Sequence, residues 1–129
     1  MREQRPVVAV VDDDPRLIES LEDLLESAGY QSRCFPSANL LLVEGFSSID
    51  ILITDIGLPG IDGFELRDRA LRARPELPVF LLTGRHELTH QCRARGIADC
   101  FRKPFDGQAL LSAIGAALRN RDVGGKNES

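Results

Sequence analysis

VVAVVDDDP, residues 7–15, carries two structural signals in one short stretch. Residues 7–11 form an apolar run with no polar alternation, as expected for a strand covered on both faces. Asp14 followed by Pro15 reads as a helix N-cap and first helical position. Asp12 and Asp13 stand between them. A buried strand that turns through acids into a helix is one β-α unit, and the same grammar recurs along the chain.

Working outward, Leu17, Leu21, Leu24, Leu25 and Ala28 share one face of a first helix, which Gly29 ends. Residues 31–35 read as a short extended piece. Pro36 and Ser37 open a second helix, with residues 40–43 inside it and Gly45 near its end. The apolar run 49–53 is the next strand, leading to Thr54-Asp55 and the turn Gly57-Leu-Pro-Gly60. Asp62 caps a third helix with Leu66, Ala70 and Ala73 on one face, stopped at Pro75. Residues 79–82 form a fourth strand, which ends at Thr83-Gly84. HELTH, residues 86–90, opens the fourth helix. Residues 98–101 make a last strand, ending at Lys103-Pro104. Asp106 then caps a helix carrying Leu110, Ile114, Ala117 and Leu118 at helical spacing. Five β-α units imply an α/β fold, a five-stranded parallel sheet with helices on both faces. The expected division is an N-terminal tail over 1–6, one domain over 7–120 and a mobile Gly-rich tail over 121–129.

Composition narrows the function. A chain of 129 residues with 43% hydrophobic content suits one core, and a net charge of −4 argues against direct nucleic-acid contact. The first apolar run is too short for a signal peptide or a membrane span, and the expected location is cytoplasmic. Three cysteines, Cys34, Cys92 and Cys100, form no CxxC pair and read as reduced thiols.

In doubly wound sheets the site lies outside the carboxyl ends of the strands. Here those ends deliver Asp12 and Asp13, then Asp55, then Thr83, then Lys103. Close carboxylates resist joint ionisation, and a hard cation such as Mg²⁺ (or Mn²⁺) relieves the conflict with oxygen ligands. A carboxylate beside such an ion can attack a phosphoryl group. Lys103 would supply a point charge to the phosphoryl oxygens and Thr83 a hydroxyl donor. A flavin site would need a Gly/Ser/Thr phosphate cradle after the first strand, where three carboxylates sit instead.

VVDDDP, ITDIGLPGIDG, VFLLTG and FRKPF, in this order and spacing over about residues 7–120, resemble the receiver domain of two-component response regulators. SAGY, FPSA and KPFDGQALLSAI are similar to the FixJ-like subfamily. The resemblance implies a flavodoxin-like (βα)5 sheet of order 2-1-3-4-5. It implies that Asp55 accepts a phosphoryl group from a sensor histidine kinase or histidine phosphotransfer protein. Asp13 would bind the metal directly, Asp12 mostly through water, and Gly57 through its backbone carbonyl. Thr83 and Lys103 would hold the phosphoryl group. Pro59 and Gly63 would shape the loop after the acceptor, and Lys103–Pro104 would be cis. The domain would not be an enzyme beyond its own phosphorylation and slow dephosphorylation. It would signal through the surface of the fourth helix, fifth strand and fifth helix. A downstream output domain or protein, and a homodimer through that surface or through the first and fifth helices, are the further partners implied. A receiver-like module working without phosphate would typically lose an acid or the lysine, and all are present.

Two positions depart from the pattern. Cys100 stands where the family usually has a switch aromatic, and Phe101 beside it should face the other side of the sheet. Gly57 has no side chain to tune the access of water to the acceptor. HELTH matches the zinc-peptidase pattern H-E-x-x-H, but the chain holds only these two histidines. A third ligand would have to be Asp99, Asp106, Asp122 or Glu128, so a peptidase is disfavoured. Asp14 reads as a cap rather than a ligand, Cys100 as packing, and Arg93 and Arg95 as a solvated face.

Overall fold

The computed structural model describes the backbone of residues 5–127 and the side chains of residues 5–120. The order is β1(Val7–Val11), α1(Pro15–Ser27), β2(Gln31–Phe35), α2(Ala38–Glu44), β3(Ile51–Asp55), α3(Gly63–Ala73), β4(Val79–Thr83), α4(His86–Ala94), β5(Cys100–Arg102) and α5(Gly107–Asn127). The strands form one sheet in the order β2-β1-β3-β4-β5, with every pairing parallel.

The caps sit where the side chains dictate. Asp14 accepts from the Arg16 N–H with Pro15 at the first helical position, Ser37 accepts from Leu40, and Asp62 accepts from Glu65. Asp106 accepts from the N–H groups of Gln108 and Ala109 at the start of α5. Gly29 follows α1 at φ 92°, a left-handed turn that a side chain would strain.

Strand alternation sorts the core into two layers. Val8, Val10, Ile51, Ile53, Phe80 and Leu82 pack with Leu21 and Leu25 of α1 and Leu110, Ile114 and Leu118 of α5. Ala9, Val11, Leu52, Val79 and Leu81 pack with residues of α2, α3 and α4 on the other face. Arg74, after α3, donates to the carbonyls of Phe46 at 2.7 Å and Ile49 at 2.6 Å, tying down the loop before β3.

Two strands begin later than their apolar runs suggest. The third starts at Ile51 rather than Ile49, and the fifth at Cys100 rather than Ala98. Ile49 and Ile97 are buried ahead of the ladders, so apolar character outruns strand pairing. The helical backbone of α5 runs on to Asn127, past the Asn120 at which the sequence places the end of the domain. Residues 1–4 and 128–129 of the two expected tails lie outside the described residues. No helix among the described residues is long and apolar enough to cross a membrane.

Candidate functional site

β1 and β3 are neighbours in the middle of the sheet, so Asp12 and Asp13 just after β1 and Asp55 at the end of β3 emerge side by side. Carboxylate oxygens of Asp12, Asp13 and Asp55 all lie within 4.8 Å of one another. Asp12 is 1% exposed and Asp55 8%, whereas Asp13 faces solvent. The Lys103 ammonium, beyond β5, reaches back to Asp12 Oδ2 at 3.0 Å and Asp55 Oδ1 at 3.1 Å. Asp12 Oδ1 accepts from the Asp14 N–H at 2.9 Å, so both Asp12 oxygens already have partners, whereas the Asp13 carboxylate is exposed.

The electrostatics follow from this crowding. Burial pushes the Asp55 carboxyl up, the Lys103 bond and charge pull it down, and the Asp12 and Asp13 charges push up again. The net direction is up. Burial works against the Lys103 ammonium, but its bonds to Asp12 and Asp55 and their charges outweigh it and raise its pKa. Burial, aided by the like charges of Asp12 and Asp13, thus outweighs what Lys103 returns to Asp55, whereas the two carboxylates outweigh burial at Lys103.

Thr83, 1% exposed, is the last residue of β4. Its hydroxyl accepts from the Arg85 N–H at 3.0 Å. Gly57 lies beside Asp55, and a Cβ there would stand 3.8 Å from Asp55 Oδ2. Gly63 is packed against the backbone that carries Asp55, since a Cβ there would fall 2.5 Å from the Asp55 carbonyl oxygen. The Lys103–Pro104 peptide is cis, as expected.

Cys100 and Phe101 face opposite layers. Cys100 packs with the α4 side, where the Cys92 thiol donates to its sulfur at 2.6 Å, while Phe101 stacks with Phe80 at 5.9 Å. Burial, then the Cys92 contact, pushes the Cys100 thiol up to about 12. HELTH opens α4, with its imidazoles 3.2 Å apart at Nε2. Among the described residues, the group of three potential metal ligands is the aspartate cluster, and neither Asp99 nor Asp106 joins the histidines. The peptidase pattern thus lacks its third ligand there; Asp122 and Glu128 fall outside the described side chains. Arg102, which donates to His86 Nδ1 at 3.2 Å, carried no signal in the sequence.

A doubly wound sheet with an acidic cluster and a lysine at the carboxyl edge defines a class of small signalling modules. The sequence profile of the response regulator receiver domain matches residues 8–115, and the chain belongs to that family. It is 31% identical over 122 residues to response regulator protein TmoT of Ectopseudomonas mendocina, covering 92% of this chain and 56% of that protein. Against transcriptional regulatory protein FixJ of Bradyrhizobium diazoefficiens it is 31% identical over 126 residues, covering 95% and 61%. The chain thus spans little more than half the length of these relatives. Among solved structures, full-length FixJ from B. japonicum superposes with a TM-score of 0.82 at 29% identity, covering 98% of this chain and 64% of that one. A receiver domain protein from Clostridium thermocellum gives 0.81 at 26% identity, covering 92% and 98%. The chain is therefore a receiver domain of the two-component type, a signalling module rather than a conventional enzyme.

Proposed function

We propose that Asp55 is the phosphoacceptor of this receiver, and that a histidine kinase or histidine phosphotransfer protein is the donor. The observation that carries the reading is the convergence of Asp12, Asp13 and Asp55 with the Lys103 ammonium at one end of the sheet. The all-oxygen donor set fits Mg²⁺ or Mn²⁺, which take carboxylates, carbonyls and waters. Asp13 and Asp55, the Gly57 carbonyl and Asp12 through water would hold the ion. When bound, it would offset the negative charge of the reacting groups.

The chain's own residues divide the remaining work. An Asp55 oxygen attacks phosphorus, the phosphorus–nitrogen bond to the donor histidine breaks, and the electron pair leaves with the imidazole. Lys103 holds the carboxylate in place beforehand and meets the charge on the phosphoryl oxygens afterwards. Gly57 leaves the approach to Asp55 Oδ2 open.

The Thr83 hydroxyl then turns from the Arg85 N–H to a phosphoryl oxygen. That exchange frees the first turn of α4 and shifts the α4-β5-α5 surface between two states. With Cys100 packed on Cys92, no aromatic at that position takes part. The reordered surface would meet an output domain, a downstream protein or a second copy; an α1-α5 contact is the other dimer arrangement. The acidic chain makes no direct nucleic-acid contact in this scheme.

Replacing Asp55 with Asn tests the assignment. Phosphoryl uptake and Mg²⁺-dependent beryllofluoride binding should both vanish. Normal uptake by the variant would show that the acceptor lies elsewhere.

A further inference from the structure

We propose that His86 and His90 form a chelate for one divalent transition-metal ion of the zinc or copper kind, separate from the carboxylate site. HELTH spans the first turn of α4, where positions four apart share a face. Both rings are exposed, and their Nε2 atoms stand 3.2 Å apart. Two imidazole nitrogens on a tetrahedral zinc, each about 2.0–2.1 Å from the ion, stand about 3.3–3.4 Å apart. The helix has already brought the donors to that separation. Imidazole suits Zn²⁺ and Cu²⁺, whereas Mg²⁺ and Ca²⁺ prefer oxygen, so the two sites select different ions.

The hydrogen bonds define the metal-free state. Arg102 can only donate, so His86 Nδ1 accepts from it and the His86 proton sits on Nε2. That proton is donated to the lone pair of His90 Nε2, which is therefore unprotonated and open to a metal once the proton leaves. The metal takes the place of the proton between the two nitrogens. The displaced proton moves through solvent to His86 Nδ1, where it faces the Arg102 N–H groups and expels them. Metal binding thus exchanges the tie between α4 and β5 for a clip across the first turn of α4. Arg85, already paired with Glu87, adds no donor. Water completes the coordination, which separates this site from the three-ligand centre of a peptidase.

Calorimetric titration of zinc into the untagged full chain, with magnesium in excess, tests the site. One zinc per chain is expected. His86→Gln or His90→Gln should weaken binding roughly tenfold or more, because the second imidazole acts at high effective concentration. His90→Cys, which puts another zinc ligand at the same place, should retain binding and so excludes misfolding as the cause. Arg102→Met should tighten it, since a positive charge and a competing donor are removed. Zinc held equally by both glutamine variants, or no zinc held by the parent, overturns the site. Unchanged or weaker affinity in Arg102→Met overturns the proton exchange.

Discussion

Replacing Gly63 with Ala pits two effects of opposite sign against each other. Gly63 is the first residue of α3, where helix propensity alone would reward alanine with about 0.5–1 kcal/mol. The structure predicts the reverse. The new methyl would lie 2.5 Å from the Asp55 carbonyl oxygen, 2.7 Å from Ile56 Cα and 3.0 Å from the Asp55 carbonyl carbon. All three are backbone atoms of the β3 exit and cannot rotate aside. Relief requires α3 to back away, which also stretches the 2.9 Å bond from the Gly63 N–H to the Ile56 carbonyl. Overpacking of this kind costs about 1–3 kcal/mol, and a weakened hydrogen bond adds about 1. Set against the propensity gain, the net loss is about 1–3.5 kcal/mol. For a domain of this size that lowers Tm by roughly 3–17 °C. Gly57→Ala is the control, because its methyl would meet Asp55 Oδ2 at an ordinary 3.8 Å, and its effect should stay within about 0.5 kcal/mol. Urea unfolding followed by circular dichroism measures both. A Gly63→Ala protein as stable as the parent would refute the claim that the α3 start is wedged against the Asp55–Ile56 backbone.

Four further outcomes are expected. Arg74→Met should lose about 2 kcal/mol in denaturant titration, since the carbonyls of Phe46 and Ile49 lose charged donors, and Arg74→Lys should recover only part. Lys103→Met should cost about 1–2 kcal/mol at neutral pH, a figure discounted because the lysine side chain is 25% exposed. The Lys103 pKa is raised by folding, so its contribution is full below the ordinary lysine range and is lost as pH rises through the folded value. The gap between parent and variant should therefore close in strong alkali. Asp55 is also raised, which makes its ionised form a burden on the fold above its folded pKa, and the burden vanishes once both states are protonated. Asp55→Asn should accordingly be more stable than the parent at neutral pH, with the advantage fading below the ordinary carboxylate range. Burial, helped by Glu22, pushes the Cys34 thiol up to about 11, and Cys100 stands at about 12. At pH 8 these two thiols should react with a disulfide reagent roughly a hundredfold or more slower than free cysteine, and urea should restore the ordinary rate. Fast labelling of Cys100 in the native protein would contradict its packing on Cys92.

Much of the fold was legible because its signals are local. Asp14-Pro15, Ser37, Asp62 and Asp106 mark helix starts by their own side chains. Val7–Val11 and the runs at β3 and β4 declare burial on both faces by their lack of alternation. Asp12, Asp13, Asp55 and Lys103, which meet at one edge, and Thr83 at the end of β4 were legible as candidates because each ends or closely follows a strand of a parallel sheet. What the sequence concealed depends on contacts between distant residues. Nothing around Arg74 announces that it binds carbonyls 25 and 28 positions earlier. The opposite faces of Cys100 and Phe101 follow from strand parity, but the meeting of Cys100 with Cys92 needs the placement of α4. The unequal burial of Asp12 and Asp13 is likewise invisible in a run of identical letters. HELTH shows the converse, a short pattern whose letters match a catalytic centre while the described residues around it do not supply a third ligand.

Among the described residues β5 is the shortest strand and lies at the rim of the sheet, paired with β4 alone. Lys103 follows it directly, anchored by one backbone bond of 2.7 Å to the Thr83 carbonyl. Rim segments open at a free energy well below that of global unfolding. Each such opening carries the ammonium away from Asp12 and Asp55 while the central strands stay paired. The charge balance of the pocket therefore has a lifetime set by the margin of the sheet, not by its core. Amide exchange at Lys103 would count those events, and any protein that docks along β5 would lengthen the armed interval without touching an aspartate.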